Sequence, residues 1–399
     1  MDEKEKNSFI DFREFISGFT QKTPEVTGKD TAKEDSAGEV DLYKQKSIGL
    51  NELLKIMVAN KASDLHINSN EKPVIRIYGD LKFLDIGQIK EETITELVYP
   101  LMLPEHISCL GEKGYIDFVY EEISLGRFRV NLYKHIRGLG ASFRHIPRNI
   151  PRIEELNLPQ VIKNIPKYKN GLVLITGATG SGKSTTLASI INEINTAQKK
   201  HIITIEDPLE FVHVNEKSRI THREVGEHAN NFSTAIISAL RSDPDVLVIG
   251  EMRDLETISQ ALIAAETGVL VMATLHTNSA AKAVERIINV FPAEQQGQIR
   301  MILSEVLCAV ISQQLIKRAD KKGRVPAVEI LLSCPGLSNL IREGKSFYVN
   351  SMIQTGRESG MQSMDYELFR LYKEGAISLV DARAHAFDLK YFEQLEGNK

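Results

Sequence analysis

Between Gly171 and Leu275 the apolar residues gather in four short continuous runs: LVLIT (172–176), HIITIE (201–206), DVLVIG (245–250) and VLVMATL (269–275). Runs of strand length without alternation mark strands buried on both faces. The segments between them carry helical spacing, and strands alternating with helices predict an α/β domain built on a largely parallel sheet. Beyond Pro292 most segments read as helical, with RVPAVEILL (324–332) as a strand or hairpin. Upstream of Gly171 the pattern differs. Leu50, Leu53, Leu54, Met57 and Val58 form one apolar helix face. DLHINSNEKPVIRIYGDLKFL (64–84) then alternates like paired strands with a turn between them, and residues 115–147 continue the strand-rich pattern. These features predict a smaller α+β domain over residues 48–150. The proline-rich IPRNIPRIEELNLP (146–159) opens a linker set at residues 151–168, and the α/β domain occupies residues 169–399.

Residues 1–47 divide in two. Phe12, Phe15, Ile16 and Phe19 share a helical stripe, suited to docking on a partner or on the chain's own body. The polar stretch that follows has Gly, Pro, Ser and Thr but no periodicity, and reads as a disordered tether.

Composition narrows the class without naming a chemistry. At 399 residues the chain is long enough for more than one core. A formal net charge of −4 gives no global electrostatic case for a nucleic-acid partner. Cys109, Cys308 and Cys334 are too few and too scattered for a disulfide framework or a four-cysteine zinc site. No apolar run approaches the ~18 residues of a membrane span, and the acidic start MDEKEKNSF is unlike a signal peptide. The cytoplasm is the expected location.

Chemistry enters at GATGSGKS (177–184), which lies between an apolar strand and an amphipathic helix. In that context G-x-x-x-x-G-K-S is a phosphate-binding loop. Gly177, Ala178, Thr179, Gly180, Ser181 and Gly182 supply backbone N–H groups at a helix amino terminus. Lys183 is placed to reach the β- and γ-phosphates, Ser184 to ligate Mg2+, and Thr185 completes the binding segment. ATP and Mg2+ are the expected ligands.

Hydrolysis further requires a positioned water and a group to orient or deprotonate it. DVLVIGEMRD (245–254) presents one carboxylate, Glu251, at its strand end, and TIEDPLEF (204–211) presents Glu206. Ligands of open parallel sheets bind at the carboxyl ends of strands, so both acids should converge on the γ-phosphate. Glu206 is assigned as the water-orienting base and Glu251 as a magnesium ligand acting through water, with the two roles exchangeable at this level. His276, in ATLHTN, surfaces on the same edge as a γ-phosphate sensor, a subunit contact or a structural histidine. Arg127, Arg129, Arg137 and Arg144 fall outside the ATPase core, and Arg127 and Arg129 share one strand face opposite Phe128 and Val130. Arginines so placed suggest fingers delivered by domain closure or by a neighbouring copy. Arg241 reads as a core or subunit-contact residue.

Taken together, these motifs resemble the secretion ATPase superfamily of hexameric motors serving type II secretion and type IV pili. Within it they are most similar to the PilT-type pilus retraction ATPases of twitching motility. The resemblance spans about residues 48–390 and rests on GATGSGKSTT, TIEDPLEF, the 238–268 segment around VIGE, LVMATLHTNSAAKAVERIINVFP, SNLIREGK and SMIQTGRESGMQSMD. It implies a RecA-like P-loop ATPase core with a PAS-like amino-terminal domain. It also implies catalytic roles for Glu206, Glu251, Lys183 and His276, and arginine fingers at Arg129 and Arg144. The implied working unit is a homohexamer, peripheral to the inner membrane at the pilus base. Its implied partners are the pilus platform protein and, as a further candidate, a second retraction ATPase. The absence of paired CxxC motifs favours the retraction branch over assembly. The chain departs from the family pattern at Val269, where a histidine is usual, and at Gly336, Leu337 and Ser338, which replace Ala-Ile-Arg. Those departures motivate an alternative, an accessory nucleotide-binding ring that assists another motor.

Overall fold

The computed structural model describes residues 48–146, 149–320 and 323–397. The Phe-rich helix and tether expected in residues 1–47 lie outside them.

The first sheet has six strands: β1 (Asp64–Asn68), β2 (Val74–Ile77), β3 (Asp80–Phe83), β4 (Tyr115–Glu122), β5 (Gly126–His135) and β6 (Gly138–Ile146). Their order is β3-β2-β1-β6-β5-β4, and every neighbouring pair is antiparallel. Helices α1 (Leu50–Ala59), α2 (Glu91–Val98) and α3 (Pro104–Lys113) accompany it. The alternation expected in β5 is present. Phe128, Val130 and Leu132 are fully buried with Leu53, Leu54 and Met57 of α1, whereas Arg127 and Arg129 occupy the other face. A sheet with one solvated face buries only every second residue.

The second sheet has seven strands: β7 (Gly171–Thr176), β8 (His201–Glu206), β9 (Arg219–Glu224), β10 (Val246–Ile249), β11 (Leu270–Leu275), β12 (Leu307–Lys317) and β13 (Arg324–Leu332). The order is β13-β12-β7-β11-β10-β8-β9, parallel throughout except between β12 and β13. Its helices are α4 (Lys183–Ala197), α5 (Phe232–Leu240), α6 (Leu255–Glu266), α7 (Ala280–Asn289) and α8 (Ala293–Val306). The continuous apolar runs are explained by two cores, one on each face. Leu172, Leu174, Ile203, Ile205, Leu247 and Ile249 enter one, while Val173, Ile175, Ile202, Val246 and Val248 enter the other.

Two strands were not anticipated. β12 lies in a stretch read as mostly helical, yet it pairs with β7 in the middle of the sheet. It follows α8 directly, with no Gly or Pro between Val306 and Leu307, and a short apolar run does not by itself separate helix from strand. β9, RITHRE, is a polar edge strand with no hydrophobic signature.

The segment read as a linker forms two 3-10 helices, Ile153–Leu156 and Gln160–Lys167. Ile153, Leu158, Ile162 and Ile165 are buried with Leu187, Ile190 and Ile191 of α4. The chain closes with α9 (Pro335–Arg342), α10 (Val349–Thr355), α11 (Met364–Lys373), α12 (Leu379–His385) and α13 (Leu389–Gly397). Among the described residues no helix is long and apolar enough to cross a membrane.

Candidate nucleotide site: a phosphate loop beside two carboxylates

The strand β7 ends at Thr176, the loop runs from Gly177 to Gly182, and α4 begins at Lys183. Gly177 and Gly182 hold φ of 147° and 90°, a region open to glycine. A Cβ on Gly177 would also strike the Gln313 carbonyl. Ala178, Thr179 and Gly180 are exposed at the loop tip, and Ser184 and Thr185 sit in the first helical turn. Lys183 Nζ donates to the carbonyls of Gly177 (2.9 Å) and Ala178 (3.0 Å), which folds the ammonium back over the loop. Burial lowers its pKa, opposed by the nearby charges of Glu251 and Glu210.

A cavity of about 460 Å³ opens over the loop, walled opposite by Gln313, Gln314, Arg324, His385 and Phe387. Around the loop, Thr176 Oγ1, Ser181 Oγ, Thr277 Oγ1 and Ser312 Oγ are buried without a hydrogen-bond partner. Unsatisfied buried hydroxyls are costly, and a ligand rich in oxygen acceptors suits such a lining.

Gln313 escaped the sequence reading. It lies in β12, where its Nε2 donates to the Ser181 carbonyl (2.8 Å) and its Oε1 accepts from Thr186 Oγ1 (2.8 Å). It thereby ties the loop to α4. The available signal was a glutamine pair inside an apolar run, ISQQLI, since a buried amide in a central strand needs polar partners. Arg324 Nη1 reaches the Gly180 carbonyl at 3.5 Å.

Glu206 ends β8, Glu251 follows β10 by two residues, and these strands are direct neighbours, with Ile249 opposite Ile205. The acids therefore share one sheet edge with the phosphate loop, but their surroundings differ. Burial pushes the Glu206 carboxyl up to about 7, against hydrogen bonds from the Glu210 backbone N–H (3.2 Å) and from Thr204. Burial also pushes Glu251 up, but there the Arg253 guanidinium (2.6 Å) and His276 (3.0 Å) outweigh it and hold the carboxyl below its usual range. His276 follows β11, the strand between β10 and β7. Asp254 caps α6 by accepting from the Thr257 backbone N–H (2.8 Å), which anchors the chain just beyond Glu251.

The predicted arginines lie elsewhere. Arg129 and Arg144 face each other across β5 and β6. Arg144 Nε pairs with Asp64 (2.8 Å), and Arg129 Nε lies 3.9 Å from Asp117. Among the described residues neither is hydrogen-bonded or ion-paired to the phosphate loop, Glu206 or Glu251. Val269 is buried at the start of β11, on the sheet edge opposite the carboxylates. Ser338 lies in α9 and donates to the Ser304 carbonyl (2.8 Å).

Residues 43–365 match the family described as type II/IV secretion system protein. The chain belongs to that family. Among curated relatives, a twitching motility protein of Neisseria gonorrhoeae is 48% identical over 79% of this chain and 84% of its own length. The type IV pilus retraction ATPase PilT of Pseudomonas aeruginosa is 46% identical over 84% of this chain and 98% of its own. Among solved structures, the crystal structure of the pilus retraction motor PilT with bound ADP superposes with a TM-score of 0.80 at 43% identity. That match covers 87% of this chain and 99% of the other. Two expectations are thereby met: membership of the secretion ATPase family, and a P-loop ATPase core joined to a smaller α+β domain.

Proposed function

We propose that this chain is an ATP-hydrolysing motor that powers type IV pilus retraction, working as a ring of six copies. The observation that carries the reading is the convergence of a phosphate loop and two electrostatically opposed carboxylates on one sheet edge. ATP occupies the cavity over the loop, with its phosphates on the backbone N–H groups of residues 177–185 and on Lys183, released from its two carbonyl contacts. Glu206, poised near neutrality, accepts the proton of the attacking water. Glu251, held ionised by Arg253 and His276, supports the metal. The donors fit magnesium, since Ser184 and Glu251 are hard oxygen ligands and Mg2+ keeps several of its waters. Held there by Ser184 and Glu251, Mg2+ would supply positive charge against the charge that develops on the phosphates. His276 couples the position of Glu251 to the end of β11.

Among the described residues Arg129 and Arg144 have no partner in the site of their own chain, which suits delivery to the γ-phosphate of a neighbouring copy. Each cycle would close the 48–150 domain over the next subunit's 169–399 domain, with residues 151–168 as the joint. The ring would act at the cytoplasmic face of the inner membrane on the pilus platform protein.

E251A and E206A should each lose turnover while ATP binding, measured by fluorescence of a nucleotide analogue, is retained. Turnover surviving in either variant would remove that acid from the mechanism. A strain lacking its retraction ATPases, supplied with this chain alone, should recover measurable pilus retraction force. Recovery of ATPase activity without force would contradict the motor reading.

A further inference from the structure

The environment of Glu206 holds a hydrogen-bond chain that the steps above leave unused. Thr204 and Glu206 project from the same face of β8, two residues apart. His222 of β9 stands directly opposite Thr204 in the parallel register. Its Nδ1 lies 2.8 Å from Thr204 Oγ1, and its Nε2 accepts the backbone N–H of His213 at 3.1 Å. A backbone N–H can only donate, so Nε2 carries no proton and a neutral His222 must hold its proton on Nδ1. That Nδ1–H donates to Thr204 Oγ1. The threonine hydroxyl, having accepted, has its own hydrogen free to turn toward the Glu206 carboxylate on the same strand face, whose ionised form it favours. The opposite approach is fixed by the Glu210 backbone N–H on Oε2.

We propose that His222 and Thr204 are positioning residues for hydrolysis, a polarised chain that aims the Glu206 carboxylate at the attacking water and holds it as an acceptor. The chain rests on the reading of Glu206 as the base. It makes no contact with substrate and transfers no proton itself. Its direction is set by the His213 backbone, which makes the imidazole a one-way donor. The groups facing Glu206 are Glu210 and Glu224, both of which disfavour its ionised form, so the threonine hydroxyl opposes them. The groups facing His222 are His213 and Arg127 of β5. Burial and the Arg127 charge keep His222 below its ordinary pKa, against the His213 N–H bond, in keeping with the neutral ring that an accepting Nε2 requires. His213, pushed down to about 4 by burial and by His222, stays neutral as well.

The test uses the full-length ring and reads kcat, KM for ATP and the pH profile. T204V keeps the shape of the side chain and removes the hydroxyl. It should lower kcat at neutral pH about 10- to 100-fold, the range expected for one hydrogen bond to a charged group. KM should stay near wild type and the acid limb of kcat should move to higher pH, with T204S restoring both. H222L should behave like T204V, whereas the isosteric H222N, which restores a donor toward Thr204, should recover most of the rate. If T204V disturbs folding, the H222L and H222N pair carries the same comparison. Wild-type kcat and acid limb in T204V or H222L, or no difference between H222L and H222N, would overturn the proposal. E206Q separates the two levels. If E206Q turns over normally, the base assignment itself fails. If E206Q is inactive while T204V is unaffected, only the positioning chain fails.

Discussion

Two neighbouring strand ends, at β8 and β10, present the same functional group at the same sheet edge in opposite states. Glu206 meets backbone and hydroxyl donors in a half-buried setting, with no cation paired to it among the described residues, and desolvation drives its carboxyl to about 7. Glu251, two residues beyond β10, is gripped by Arg253 and His276 and remains ionised far below neutrality. Identical side chains acquire distinct chemistry from what faces them, and a pair of acids pushed apart in this way divides acid–base work from charge stabilisation. The sequence leaves the roles of Glu206 and Glu251 interchangeable, and the proposed assignment rests on their different surroundings: Arg253 and His276 beside Glu251, and burial without a paired cation at Glu206 among the described residues.

The most severe break of the contrast is E206Q, which keeps size and removes basicity. Turnover should fall on the order of 10²- to 10⁴-fold, the usual worth of a general base, in a steady-state phosphate-release assay. Next in size, R253A together with H276A would strip Glu251 of both its side-chain partners. Its carboxyl should then rise out of its depressed range, and kcat should fall about tenfold or more at neutral pH, with partial recovery at higher pH.

Stability sharpens the same comparison through opposite signs. Glu206 has a folded pKa raised above its unfolded value, so its ionised form costs stability, increasingly as pH rises from the unfolded value to about 7. At alkaline pH, E206Q should therefore raise the melting temperature by about 2–4 °C, the effect of a ~1 kcal/mol change in a domain of this size. Glu251 has a depressed folded pKa and stabilises above its unfolded value, a contribution lost as pH falls through the folded value. E251Q should lower the melting temperature at alkaline pH and approach wild type in acid. The same direction of shift in both variants, read by differential scanning calorimetry, would erase the distinction.

The effect expected to be smallest on turnover concerns the loop's support. Q313L would leave the Ser181 carbonyl and the Thr186 hydroxyl without their amide partner. It should weaken ATP binding several-fold, with ~1–3 kcal/mol lost in stability, and leave the pH profile unmoved.

Much of this site was legible in the linear chain, and the reason is local. GATGSGKS, TIEDPLEF and VIGE each join a buried strand to its own turn, so hydrophobic runs and adjacent polar residues are enough to place them at one sheet edge. What escaped was assembled from distant segments. Gln313 reaches the loop only because β12 pairs with β7, a strand that apolar content alone did not separate from a helix. His222 meets Thr204 only because the polar edge strand β9 lies beside β8. Arg253 was visible beside Glu251, but its 2.6 Å pairing is a property of the folded turn rather than of spacing. Val269, a departure from the family pattern, sits at the far edge of the sheet among core side chains rather than beside the carboxylates.

The central claim is that Glu206, and not Glu251, supplies the group that titrates in turnover. It is tested most directly by the pH dependence of single-turnover ATP hydrolysis at saturating nucleotide, from pH ~5.5 to ~8.5, in the wild type, E206Q and E251Q. The wild type should lose activity as pH falls through about 7. The residual rate of E206Q should be flat across that range, and that of E251Q should keep the same acid limb at a lower plateau. An acid limb that survives in E206Q and vanishes in E251Q would reverse the assignment.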